Sequence, residues 1–270
     1  AMTATANRRE FLGLVGAGAA ALALPARAQR ALPQRALPRT GELLPVVGLG
    51  STRPVSEIAE HGAERIEAVV RALVDNGGRV IDTWPRNVDN DAAFGRIIDE
   101  PDLRERVFVT INLDAEGEDA GVQQFERTLR AYRRDTIDLV NVGSLIDLDA
   151  RWPALRRFKD DGRARYIGVT AAQAALYDRL EAFVRAHSPD FVEINYSVTE
   201  RDAERLLPLL AERGIAVLVS RPFMNGAYFE RLANQPLPAW TAEFECRSWA
   251  QFSLQYILAN LLITSVITET

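Results

Sequence analysis

The sequence predicts an α/β fold, a closed (β/α)8 TIM barrel forming a single domain behind a small N-terminal hairpin. Three observations carry this. From about Leu43 onward, short β-branched runs alternate with amphipathic helical segments, the pattern of parallel strands joined by crossover helices. Eight such runs follow one another at regular spacing, which suits a closed barrel better than an open sheet. No G-x-G-x-x-G follows the first run, so the fingerprint of an open dinucleotide-binding sheet is missing.

Taken in order, the chain opens with "NRREFLGLVGAGAAALALPARAQ". The pair Arg8-Arg9, a weakly apolar Gly/Ala/Leu stretch and the Ala26-Arg27-Ala28 cleavage pattern resemble a twin-arginine export signal over residues 1–28, and predict a periplasmic or secreted protein. The apolar run is too short and too rich in Gly and Ala for a stable membrane span once the signal is removed. "QRALPQRALPR" follows as a Pro-punctuated linker, and "RTGELLP" reads as a hairpin, so that 29–42 hold the linker and the start of the hairpin and 43–270 the barrel. The predicted strands are 46–50, 79–83, 107–112, 137–142, 165–170, 191–196, 216–220 and 265–268. Between the first two, "AERIEAVVRALVDNG" sets Ile66, Val69, Val70 and Leu73 on one helical face and Gly77 near its C-cap.

Composition limits the partners. With 270 residues, 47% of them hydrophobic, and a net charge of -5, the chain suits one soluble domain that takes a small-molecule substrate, and it has no basic stripe for nucleic acid. A single cysteine, Cys246, excludes an internal disulfide, and with two histidines no metal site can be built by spacing. Lys159 is the sole lysine.

In a barrel of this kind the working face lies at the C-terminal ends of the strands. Asp82 ends the second predicted strand, where a carboxylate must be solvated, paired or put to use. Glu193 and Asn195 lie on the sixth, Asn112 ends the third, Thr170 the fifth, and Ser220 with Arg221 the seventh. His61 falls in the first loop of that face, and His187 on the opposite face.

The segments "LPVVGLGS", "GGRVIDTWP", "LRRFKDDGRARYIGVT", "DFVEINYSVTERDAERLLPLLAERGIAVLVSRPF" and "SWAQFSLQYIL" together resemble the aldo-keto reductases, in order and at family spacing. That resemblance implies the barrel, NADPH and carbonyl reduction by a tetrad of Asp, Tyr, Lys and His. Only Asp82 matches the tetrad. Asn87 stands where the resemblance places the tyrosine, Asn112 the lysine and Gly143 the histidine. The cofactor contacts implied by the family fall on Thr170, Ala171, Glu193 and Ser220, where a carboxylate replaces an amide and a serine cannot stack on a ring. Relatives continue after "ITSVITET" through a loop and a last helix that is apparently missing here, so the resemblance predicts either that the protein extends beyond Thr270 or that a homodimer contact covers the edge.

These substitutions favour a non-redox enzyme of isomerase, lyase or cyclase type. Its catalytic residues would be Asp82 and Glu193 as acid and base, beside Asn87 and Asn112. Trp84, Arg86, Arg221, Asn195 and His61 are the expected substrate contacts, the arginines for an anionic group. No cofactor is favoured. The alternatives are a diverged oxidoreductase holding NADP through Thr170, Ser220, Asn225 and Gly226, and a non-catalytic binding protein.

Overall fold

A computed structural model describes residues 32–269. The export segment at 1–28 lies outside the described residues. The chain starts with a two-stranded antiparallel hairpin, β1 (Gln34–Ala36) and β2 (Leu43–Pro45). Eight strands then close into an all-parallel barrel: β3 (Val47–Gly50), β4 (Val80–Thr83), β5 (Phe108–Leu113), β6 (Ile137–Val142), β7 (Ala164–Ala171), β8 (Phe191–Asn195), β9 (Ala216–Ser220) and β10 (Ser265–Glu269), with β10 pairing both β9 and β3. Each lies within two residues of its predicted bounds. No helix among the described residues is long and apolar enough to cross a membrane.

The helices needed below are α1 (Glu64–Asp75), α2 (Val88–Ile98), α3 (Glu118–Ala131), α4 (Leu148–Asp160), α5 (Tyr177–Ala186), α6 (Ala227–Leu232) and α7 (Trp249–Ala259). Helix α1 buries Ile66, Val70 and Val74, with Val69 and Leu73 packed at the margin. It stops as predicted. Gly77 takes a φ of 86°, its amide donates to the Val74 carbonyl at 3.0 Å, and the Gly78 amide reaches back to Leu73 at 2.9 Å, so the last carbonyls are satisfied in a Schellman turn.

Two apolar cores result from strand alternation. The outward residues of the strands pack under the helices, with Val109, Ile111, Val140, Val169, Val192 and Val217 buried against Phe94, Phe125 and Leu155. The inward residues Val80, Phe108, Leu139, Tyr166, Phe191 and Leu218 fill the barrel, and Leu37 and Leu44 of the hairpin join them from the N-terminal end. The hairpin is tied there by Glu42, which bonds Tyr166 Oη at 2.7 Å and pairs with Arg165 and Arg79. Partial burial opposes ionisation of Glu42, yet the Tyr166 hydroxyl and the two guanidinium groups hold its carboxyl below the ordinary range. Lys159 is likewise spent at this end, 2.6 Å from Asp190.

Candidate active site

At the opposite end, the strand termini and their loops enclose a cleft of about 660 Å³, within the range of small-ligand sites. Asp82 and Glu193 line it, and both are buried. They are joined across the barrel by a line of side chains. Asn112 Nδ2 donates to Asp82 Oδ1 at 2.8 Å, Thr170 Oγ1 donates to Asn112 Oδ1, and Thr170 Oγ1 lies 3.5 Å from Glu193 Oε2. Register sets this up: Asp82 pairs with Thr110 and Thr170 with Glu193, while Asn112 stands two residues beyond Thr110 on the same face of β5. An amide therefore partners Asp82 at the position the resemblance gives to a lysine.

Gly143 also has a structural occupant beside it. A Cβ placed on Gly143 would meet Trp84 Cζ3 at 2.8 Å and Cη2 at 3.0 Å, so the indole fills the room where a side chain at 143 would stand. Trp84 lines the cleft with the Arg86 guanidinium 5.1 Å from its ring centroid. Arg86 in turn donates through Nε and Nη2 to Asp114 Oδ2 at 2.9 and 2.7 Å. Gln124 fixes that aspartate, donating to Asp114 Oδ1 at 3.0 Å and accepting from its backbone amide at 3.0 Å. Arg86 is thus a stacked and neutralised wall.

The structure brings together most of the expected residues. Asp82, Glu193, Trp84, Arg86, Arg221, Ser220, Asn225 and Gly226 line the cleft, and Asn112 and Thr170 lie buried beneath it. Asn195 opens onto a smaller neighbouring cavity of about 240 Å³ that shares Ala172 and Arg221 with the cleft. Two expected residues stand elsewhere. Asn87 is exposed and caps α2, accepting from the Asp89 and Asn90 amides at 3.0 Å each, and His61 is exposed at the end of a short helical turn, Ile58–His61. His187 packs against Trp152 and Phe183, on the structural face as expected.

Sequence reasoning missed part of the wall. Thr52, Arg53 and Ser56 after β3 line the cleft, as do Phe223 and Phe229 beyond β9. The aromatic surface sought at Ser220 is supplied by Phe223, three residues later. Its signal was the "SRPF" run itself. Arg221 donates to Asn225 Oδ1 at 3.2 Å and, among the described residues, makes no ion pair. The backbone beside it turns through Gly226, whose φ is 92° and whose Cβ position would meet nothing within 4 Å. An anionic, elongated ligand with a planar end fits this lining: guanidinium and bare backbone at the rim, aromatic rings along the wall, hydrogen-bonding groups within.

Comparison with known proteins agrees with the barrel. The profile described as Aldo/keto reductase family matches residues 47–268. An aldo-keto reductase of Mycolicibacterium smegmatis is 33% identical, over 82% of this chain and 76% of its own length. A glyoxal reductase of Bacillus subtilis is 27% identical, over 83% and 78%. Among solved structures, an aldo-keto reductase of Klebsiella pneumoniae in complex with NADPH superposes with a TM-score of 0.70 at 20% identity, over 88% of this chain and 86% of that one. Another from the same organism, in complex with NADP and acetate, gives 0.68 at 21%, over 85% and 82%. The expectation that no cofactor is favoured is corrected by these findings: neighbours sharing this barrel are nicotinamide-nucleotide complexes. The reason it failed is physical. Residues at the aligned positions are not the whole lining: the cleft draws its aromatic and cationic surface from Phe223, Phe229 and Arg221.

Proposed function

The chain belongs to the aldo/keto reductase family, and on that footing we propose that it is an oxidoreductase that uses a nicotinamide dinucleotide on a small polar carbonyl or alcohol. The observation that carries the proposal is the cleft lining, which runs from Glu193 and Ser220 at the centre past Arg221 and Phe223 to Gly226. Bound there, such a nucleotide supplies hydride chemistry. Arg221 and the backbone at Gly226 would hold its phosphates, Phe223 would flank its ring, and Asp82 with its Asn112 partner would face the substrate side. Relatives named as reductases favour this over isomerase or lyase chemistry. The substrate is polar but not anionic in this reading, because Arg86 is already neutralised by Asp114 while Asp82 and Glu193 lie at the centre.

Titration calorimetry with NADPH tests the proposal. Binding in the micromolar range is expected, and Arg221→Glu should weaken it about tenfold or more through loss of a charge-assisted contact. Absence of heat, or an affinity indifferent to Arg221, would return the site to non-redox readings. The proposed route out of the cytoplasm has a separate test: mature protein should start near Gln29 outside the cytoplasm, and replacing Arg8 and Arg9 by Lys should retain the precursor inside.

A further inference from the structure

Inside the barrel stands a pair of polar side chains that does not line the cleft. Thr110 on β5 and Asn141 on β6 lie two residues beyond Phe108 and Leu139, which fill the barrel, so strand alternation turns both inward. Asn141 leans toward β7, where its Oδ1 takes the room that a Cβ on Gly168 would need. Both residues are fully buried. The Thr110 hydroxyl and both ends of the Asn141 amide have no hydrogen-bond partner among the described residues.

A hydroxyl and an amide in a packed interior cost free energy unless they are bonded. The side chain nearest to both by register is Asn112, the strand partner of Asn141 and two residues beyond Thr110, and it is committed to Asp82 and Thr170. Register also sets the gap between the two. Thr110 pairs with Leu139, so Asn141 is its diagonal neighbour, about 8 Å away between backbones for one step across the sheet and two residues along it. Two short side chains leave that gap open, and one water closes it. Water also suits the mixture of groups, because it offers protons to an acceptor and lone pairs to a donor.

We propose that the barrel binds an internal water molecule here, hydrogen-bonded to the Thr110 hydroxyl and to the Asn141 amide. Asp82 is the strand partner of Thr110 on the other side, so Asp82, Thr110 and Asn141 occupy three successive strands. Above this run the bond from Asn112 to Asp82 forms part of the cleft floor; below it begins the apolar filling of Phe108 and Leu139. The water gives the floor a satisfied polar underside without opening it to solvent. This inference concerns the interior of the barrel and is independent of whether the cleft takes a nucleotide.

Relaxation dispersion of the water 17O signal, measured on the full chain, counts waters that stay inside longer than the protein takes to tumble. Thr110→Val keeps the shape of the side chain and removes only the hydroxyl, and Asn141→Leu removes the amide. Each should lower the dispersion amplitude by the equivalent of one long-lived water, and the double variant should lose that same water and no second one. Thr110→Val should also lower the urea midpoint, because it takes a partner from the water and from Asn141, whereas removal of a dry, unbonded hydroxyl would leave the midpoint unchanged or raise it. If Asn141→Leu does not fold, the unmutated protein still decides: the Asn141 side-chain amide protons should show a cross-peak to water with the sign of a long-lived contact. Unchanged amplitudes, a midpoint that holds or rises in Thr110→Val, losses that add to two waters in the double variant, or no such cross-peak would overturn the shared site.

Discussion

At Gly143 the absence of a side chain is a packing requirement as much as a chemical loss, because Trp84 already stands 2.8 Å from where a Cβ would be and the Leu113 carbonyl 3.1 Å. Gly143→Ala should cost about 1–3 kcal/mol by overpacking. Trp84→Ala, by vacating the ring, should recover much of that loss in the double variant, which urea unfolding of all four proteins would measure as a coupling energy. Additive losses would mean that the ring and position 143 are independent. Asp91 gives a different signature. Burial pushes its carboxyl up to about 6, against the pull of the Asn87 and Arg86 backbone amides. The folded chain therefore holds this proton more tightly than the unfolded chain does, so the contribution is present below the unfolded pKa and is lost as pH rises through the folded one. At about 1.4 kcal/mol per unit, roughly 3 kcal/mol is at stake between pH 4 and 6. Asp91→Asn should gain on the parent across that window and hold its advantage above it. Parallel pH dependences of the two unfolding midpoints would remove Asp91 as the cause.

Among the elements, α2 shows how a family resemblance can draw attention away from a local signal. "NVDND" carries an asparagine directly before an acidic first turn, a helix N-cap pattern, and Asn87 does cap α2 with two bonds of 3.0 Å. Alignment with a catalytic tyrosine suggested chemistry there instead. Asn87→Ala should cost about 1 kcal/mol and leave NADPH affinity unchanged, whereas Asn87→Asp should restore stability. A loss of nucleotide binding without loss of stability would put Asn87 back in the site. The eight strands were legible because burial on both faces writes them as continuous β-branched runs. Asp82 and Glu193 were legible because a carboxylate at a strand's end is conspicuous. The line joining them was not, since it depends on the stagger that sets Asn112 beside Asp82, and register between strands is not written in either strand alone. Phe223 was legible in the "SRPF" run, whereas the Trp84 contact with Gly143 was hidden because it joins loops distant in sequence.

On the scale of the whole molecule, the barrel is a tube whose two ends have different tasks, and the hairpin closes the end away from the cleft. Its first strand, Gln34–Ala36, comes from the second half of the Pro-punctuated repeat, where short polar spacing gave no alternation to read. What makes it a plug is the pair Leu37 and Leu44, which enter the barrel beside Phe108, Tyr166 and Phe191, while Arg35 bonds the carbonyls of Leu258, Asn260 and Ile263 below α7. Around the rim Arg39 holds the Ser188 and Arg213 carbonyls at 3.1 and 3.0 Å, tying the loops before β8 and β9. Leu44 is fully buried, so Leu44→Ala removes about three methylene-sized groups and leaves a cavity that a closed barrel cannot collapse, at a cost of about 2–5 kcal/mol. Because the plug and the cleft occupy opposite ends, the same variant should bind NADPH with unaltered affinity at temperatures where it remains folded. A urea midpoint that does not move would show that the hairpin is an ornament of the barrel end. A lower midpoint with proportionally weakened nucleotide binding would show instead that the two ends of the barrel are coupled through its packed interior.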